Sequence, residues 1–157
     1  MNNYNFYIGT TRFNTFTFEE NKKWREKHTH NGCIYPTNKR IAESIRLNSL
    51  VFVLEMNNDI NKIMGIGLVR NKINHDDKAL INFTDRHYNK YIYHSAYRID
   101  ASEFTEKQKK YIEILELIAF KGYRHFKRGN GITIIKWERF KTDETKSKFI
   151  SFFRKLF

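Results

Sequence analysis

Residues 50–70 read LVFVLEMNNDINKIMGIGLVR and constrain the rest of the chain more than any other stretch. Leu50 to Met56 is apolar and rich in β-branched residues, broken only by Glu55. The polar stretch from Asn57 to Asn61 follows, and short amide and acid side chains there accept left-handed backbone and satisfy local N–H groups. Ile63 to Val69 is a second apolar run, with Gly65 and Gly67 inside it. Two such runs around a polar turn predict a β-hairpin. Neither run alternates cleanly with polar residues, so the hairpin is expected at the buried centre of a sheet. Glycines two apart share a face, and nothing projects from the backbone there. A bulge, a tight bend or a close neighbour is the expected consequence.

The remaining elements follow from periodicity and punctuation. Tyr4 to Ile8 is expected as a strand ended by Gly9 and Thr10-Thr11. Thr15 or Thr17 is expected to cap a short helix through Glu19, Glu20 and Trp24, with acids near its positive end. Lys27 to Gly32 reads as a polar loop. Pro36-Thr37-Asn38 is expected to open a helix whose inner face is Ile41, Ala42, Ile45 and Leu47, with Lys39, Arg40 and Arg46 elsewhere on its surface. Ala79–Phe83 reads as a short strand. Tyr88–Arg98 reads as a strand with Tyr91, Tyr93 and Ser95 on one face. Thr105-x-x-Gln108 is a capping-box pattern. It precedes an apolar stripe of Ile112, Leu115, Ile118 and Ala119, and Gly122 is placed to stop that helix. Ile132–Ile135 is a further strand. Thr142–Phe157 is an amphipathic helix with Phe149, Ile150, Phe153, Leu156 and Phe157 on its apolar side. Helices set among mostly antiparallel strands predict an α+β fold. A bent, glycine-containing sheet of short strands closes most naturally as a small β-barrel flanked by helices. The division expected is a domain over 1–140, with the helix of 141–157 packed on it or on a partner.

Charge narrows the partners. The net charge is +12, from 29 Lys and Arg against 17 Asp and Glu. That balance favours an anionic partner, nucleic acid first. The single cysteine, Cys33, excludes an internal disulfide and a thiolate-rich zinc site. No apolar run approaches the ~20 residues of a membrane-spanning helix, and the start of the chain lacks a signal-peptide pattern. An intracellular protein, cytoplasmic or nuclear, is the expectation.

Three constellations bear on function. Between Lys121 and Lys141 the cations are Lys121, Arg124, Lys127, Arg128, Lys136, Arg139 and Lys141, against Glu138 alone. Such a cluster, with His125 inside it and Gly129 and Gly131 freeing backbone N–H groups, suits phosphate contacts. Tyr123, Phe126 and Trp137 interleave the charges, and stacking rings beside cations suit unpaired bases. The loop is not a P-loop, because no Lys-Ser or Lys-Thr stands at the required place. A second group of rings, Trp24, Tyr35, Tyr88, Tyr91 and Tyr93, can sandwich a base or cage a methyl group, although core packing is the commoner fate of each. The six histidines are scattered, with no deaminase signature. No catalytic residue, metal site or cofactor is assigned. His94, Asp100, Glu103 and Lys121 have the residue types of a nuclease site, but the sequence gives no positive sign of one.

The segment Tyr35-Pro36-Thr37-Asn38-Lys39-Arg40-Ile41-Ala42 resembles the start of the first main helix of YTH domains. The hairpin with Met64-Gly65-Ile66-Gly67-Leu68-Val69 resembles the central hairpin of YTH, EVE and related PUA-like domains. Tyr88 to Asp100 is similar to the loop and strand where YTH domains place a second aromatic residue. What the resemblance implies is a PUA-like barrel whose pocket receives one modified or flipped base of RNA or DNA. Tyr35, with Tyr88 or Tyr91, would replace the cage tryptophans, and Trp24 adds a ring. Asn31, Cys33, Ile34 and Asn38 would contact the base edge. Lys39, Arg40, Lys121, Arg124, His125, Lys127 and Arg128 would hold phosphates. The expected function is therefore a nucleic-acid-binding module without chemistry of its own. The alternatives are a small ASCH-like nuclease and an interaction module, or homodimer, using the Phe-rich terminal helix.

Overall fold

The computed structural model describes residues 4–73 and 89–157. In chain order its elements are β1 (Phe6–Phe13), α1 (Thr15–Lys27), β2 (Cys33–Thr37), β3 (Leu50–Asn57), β4 (Lys62–Arg70), β5 (Tyr91–Ser95), β6 (Arg98–Asp100), α2 (Glu106–Phe120), β7 (Thr133–Ile135) and α3 (Asp143–Arg154). The expected strand at Ala79–Phe83 lies outside the described residues, as do His75, Asp76, Asp77, His87 and Tyr88.

The hairpin forms and sits at the centre. The main sheet has the order β6-β4-β3-β1-β7, and a second sheet pairs β2 with β5. β1 and β3 run parallel, and the other pairs among the described residues are antiparallel. The fold is α+β with a mixed five-stranded sheet, and among the described residues the strands do not close into a barrel. Asn61 carries the hairpin turn at φ 53°, the left-handed conformation that its short amide suits.

Alternation along the central strands sorts their side chains to two faces. Phe52, Leu54 and Met56 of β3 meet Phe6 and Ile8 of β1 and Ile66 of β4 on one face, under α2 and α3. Val51 and Val53 meet Val69, Cys33, Tyr35 and Tyr93 on the other, under the small sheet. Outside the small sheet, Ile34 and Ile92 pack on Trp24 of α1. The Phe-rich side of α3 is spent on the chain itself, because Phe149, Phe152 and Phe153 are buried in the main core. Phe157 at its end stays about half exposed.

Two helix expectations change. No helix follows Pro36. That proline lies inside β2, opposite Ile92, and residues 38–49 form successive turns. Among the described residues the small sheet has two strands, so β2 has an edge without a partner strand there, where a missing N–H costs no ladder bond. Local side chains then take the backbone groups a helix would need. Tyr93 Oη accepts from Ile41 N at 3.0 Å, Thr37 Oγ1 donates to Lys39 O at 2.8 Å, and Asn71 Nδ2 donates to Ile45 O at 2.9 Å. Ile41 and Ile45 are buried, whereas Ala42 and Leu47 face solvent.

The cap of α1 is Asn14 and not a threonine. Asn14 Oδ1 accepts from Thr17 N at 2.8 Å, while Asn14 N donates to Thr17 Oγ1 at 3.0 Å. Only Phe18 and Asn21 of this helix are buried, so the cap is a large share of what holds its first turn. Replacing Asn14 by Ala is expected to cost about 1 kcal/mol, read as a lower urea midpoint with an unchanged slope. The capping box of α2 forms as expected, with Thr105 and Gln108 bonded in both directions, and Gly122 at φ 75° follows its last turn.

Candidate functional site

Cations from three separated segments come together at one end of the two sheets. Lys39 and Arg40 follow β2, Lys90 precedes β5, and the loop of residues 121–131 precedes β7. Arg40 Cζ lies 5.2 Å and Lys90 Nζ 5.4 Å from the centre of the Tyr91 ring. The quadrupole of the ring holds both cations over it. The loop reaches the same end through Gly131. A Cβ there would stand 3.3 Å from Lys39 Cγ and 3.7 Å from Thr37 Cβ, and the residue adopts φ 63°.

The basic loop is pinned through its carbonyls. Arg12 Nη1 donates to Phe126 O at 3.1 Å, and Arg12 Nη2 donates to Gly131 O and to Thr133 Oγ1. Asn58 Nδ2 donates to Lys127 O at 3.0 Å, and Arg139 Nη1 to Arg124 O at 3.0 Å. The guanidinium of Arg139 also lies 5.1 Å from the Phe126 ring. These bonds leave the side chains of Lys121, Arg124 and Arg128 facing solvent, and Tyr123 projects between them at 93% exposure. Among the described residues, no carboxylate pairs with Lys39, Arg40, Lys90, Lys121, Arg124, Lys127, Arg128 or Arg139. Burial, and then the like charge of Arg124, lowers the pKa of Arg139. Uncompensated cations at fixed spacing form a surface for an anionic chain.

The residues expected to form one aromatic pocket are divided among three places. Tyr35 and Cys33 point into the core between the sheets, at 1% and 0% exposure. Ile34 points the other way, onto Trp24, whose ring stacks on His28 at 4.2 Å. Asn31 is exposed beside α1, and Tyr91 is half-buried beneath the two cations. Alternation in β2 is the reason, since neighbours in a strand cannot share a face. Asn38, just past β2 and next to Lys39, keeps a different status. Its Oδ1 is buried and has no hydrogen-bond partner. Tyr88 is outside the described residues.

Tyr35 instead belongs to a buried polar network. Tyr35 Oη donates to Glu55 Oε2 at 2.7 Å. Arg98 donates to the same carboxylate from Nε at 3.0 Å and from Nη2 at 2.7 Å, and from Nη1 to Asp100 Oδ1 at 2.9 Å. The side chains of Glu55 and Arg98 are 3% and 6% exposed. The central glycines make room for it. A Cβ on Gly65 would stand 2.7 Å from Arg98 Nη2, and one on Gly67 would stand 2.2 Å from Tyr35 Oη and 2.7 Å from Cys33 Sγ. Between Leu54↔Ile66 and Met56↔Ile63, β4 takes three steps for two on β3, a bulge opposite Glu55. Replacing Gly67 by Ala is expected to cost about 1–3 kcal/mol through overpacking, with alkaline difference absorbance reporting the displaced Tyr35 phenol.

Burial, reinforced by the Glu55 carboxylate, pushes the Tyr35 phenol well above its ordinary range. Burial likewise raises the Cys33 thiol to about 11. Its Sγ lies 3.4 Å from Ser95 Oγ, whose own hydroxyl donates to Leu68 O. Cys33 is thus a packed thiol and not a nucleophile. Glu55 was visible as the sole charge within an apolar run, but its partner Arg98, the loop anchor Arg12 and Lys90 carried no motif. The conceivable nuclease set is not assembled around a free acid. Asp100 is bound by Arg98 and Ser102, and Glu103 Oε1 accepts from Asp100 N. Among the described residues, no three His, Cys, Asp or Glu side chains are grouped to hold a metal ion. No helix among them is long and apolar enough to cross a membrane. No protein-family model, curated protein or solved structure matches the chain.

Proposed function

We propose that the chain is a nucleic-acid-binding module of PUA-like type that holds a strand by its phosphates and meets one base at Asn38. The observation that carries this reading is the meeting of Lys39, Arg40 and Lys90 at one end of the sheets, with the Gly131 end of the basic loop against Lys39 and, among the described residues, no carboxylate paired with these cations or with Lys127 and Arg128. Mobile cationic heads on a pinned backbone suit phosphate contacts, which fix position without reading sequence. Asn38 adjoins Lys39 and has a buried Oδ1 without a hydrogen-bond partner, and an amide can read a base edge; Asn58 also has such an Oδ1, but its amide nitrogen is committed to Lys127 O. The α+β architecture with a central hairpin, and Gly131 near the end of β2, is what supports the PUA-like reading. The base contact is assigned to Asn38 and not to Tyr35, because Tyr35 is committed to Glu55.

The test is fluorescence anisotropy with a labelled single-stranded oligonucleotide and its abasic counterpart, as RNA and as DNA, plain and base-methylated. Asn38→Ala is expected to weaken binding to the base-bearing strand roughly three- to tenfold. It should leave the abasic strand unaffected. Equal loss on both strands, or binding indifferent to salt, would remove the reading.

A further inference from the structure

Away from the basic surface, a polar cavity of about 390 Å³ opens between the last turns of α1 and the end of β6. It is lined by Lys22, Arg25, Glu26, Thr29, His30, Asn31 and Asp100. Arg25 is set into it by a buried relay. Asn21 is 3% exposed, donates from Nδ2 to Ile34 O at 2.8 Å, and accepts from Arg25 Nε at 2.9 Å. The Nη groups of Arg25 have no acceptor among the described residues. Holding one edge of a guanidinium on a buried amide while its outer fork stays free leaves a rigid, planar double donor.

We propose that this cavity binds a small carboxylate-bearing ligand on the free fork of Arg25. The proposal does not rest on the nucleic-acid reading. The choice of a singly charged planar anion follows from the charges around it. Lys22 and Arg25 supply two positive charges. Glu55, Arg98 and Asp100 together carry one net negative charge, and Glu26 adds another. The surroundings therefore cancel, so directed hydrogen bonds and not an excess of charge must hold the anion. A carboxylate matches the fork with two parallel N–H···O bonds and brings one negative charge, whereas a phosphate dianion brings two. Asp100 competes weakly, because Oδ1 already accepts from Arg98 and Oδ2 from Ser102. His30 donates from Nε2 to Cys33 O at 2.9 Å, which fixes its ring at the wall of the cavity. Burial and the neighbouring Arg98 both lower the pKa of Arg25, the electrostatic state that an added anion relieves.

The full chain, isotope-labelled for amide NMR, is titrated with sodium acetate, sodium benzoate and sodium phosphate against sodium chloride at matched ionic strength. Saturable shifts from the carboxylates, centred on the amides of residues 29–31, are expected. Arg25→Gln should weaken the carboxylates roughly tenfold or more. Arg25→Lys, which keeps the charge and loses the fork, should weaken them similarly and guards against a folding defect in the first variant. Lys39→Ala with Arg40→Ala should change nothing. Unchanged acetate affinity in Arg25→Gln overturns the site. Shifts centred on residues 39–40 and 127–128 overturn its place, and phosphate binding more tightly than either carboxylate overturns the ligand class. None of these outcomes alters the oligonucleotide result, so the two readings fail separately.

Discussion

Arg98→Ala is expected to lower stability by about 3–5 kcal/mol, because it leaves the Glu55 carboxylate buried and unpaired. For a chain of this size that corresponds to a fall in Tm of roughly 10 °C or more. The size of the effect comes from desolvation and not from the strength of the bond removed. The Glu55 carboxylate is only 3% exposed and keeps Tyr35 alone as a donor once Arg98 is gone. The double variant Glu55→Gln with Arg98→Met removes both charges and should recover most of the loss. Urea titrations of the single and double variants check this. A double variant no more stable than Arg98→Ala would show that the network is not the source of the cost.

The same network sets a pH dependence. Burial pushes the Asp100 carboxyl up, but hydrogen bonds from Ser102 and Arg98 outweigh it, and its pKa lies below the ordinary value. A depressed pKa means that the stabilisation is complete above the unfolded value, near pH 4, and is lost as pH falls through the lower folded value. Asp100→Asn should therefore narrow the stability difference between neutral and acid conditions. Asp100 is partly exposed, so the change is small beside that of Arg98. Tyr35 and Cys33 act in the opposite sense at alkaline pH. Their pKa values are raised, so the stability present below their ordinary values is lost as pH rises through the raised ones.

Replacing Lys39, Arg40, Lys127 and Arg128 together by Ala is expected to give the largest loss of nucleic-acid affinity. Each phosphate contact contributes about 0.7 to the salt slope on a single strand, so four lost contacts flatten log Kd against log salt by about 3. At about 50 mM salt the affinity should fall by roughly 100-fold or more, and the difference should shrink as salt rises. The four heads lie at or near the surface, and the bonds that shape the loop come from Arg12, Asn58 and Arg139. A melting temperature close to that of the parent protein is therefore expected. An unchanged slope would place the anionic partner elsewhere. Arg12→Ala is the complementary change, since it removes the scaffold and leaves the four cations in place.

Local patterns were legible wherever one segment decides its own structure. The hairpin of Leu50–Asn57 and Lys62–Arg70, the capping box at Thr105 and Gln108, the stop at Gly122 and the Phe-rich face of α3 all rest on periodicity or on side chains within four residues. The two glycines were marked as a place of close approach, and their face is where Tyr35, Cys33 and Arg98 pass. The segment after Pro36 was misread because Ile41 and Ile45 have helical spacing. Tyr93, Thr37 and Asn71 take its backbone groups at Ile41 N, Lys39 O and Ile45 O. Tyr35 read as a ring available to a base, since nothing nearby in sequence announces its bond to Glu55.

From the residues alone came most of the element types outside residues 36–49, the central place of the hairpin, the excess of positive charge and its concentration between Lys121 and Lys141. These depend on local geometry and composition, which the chain carries wherever it folds. Only the tertiary structure decided that Lys39 and Arg40 stand beside the loop before β7, that Glu55 meets Arg98, and that Arg25 keeps a free fork over a cavity. Each of these is a meeting of segments separated by tens of residues. Pairing of β1 with β3 and β7, of β4 with β3 and β6, and of β2 with β5 sets where these segments lie, and strand register is a property of the whole sheet.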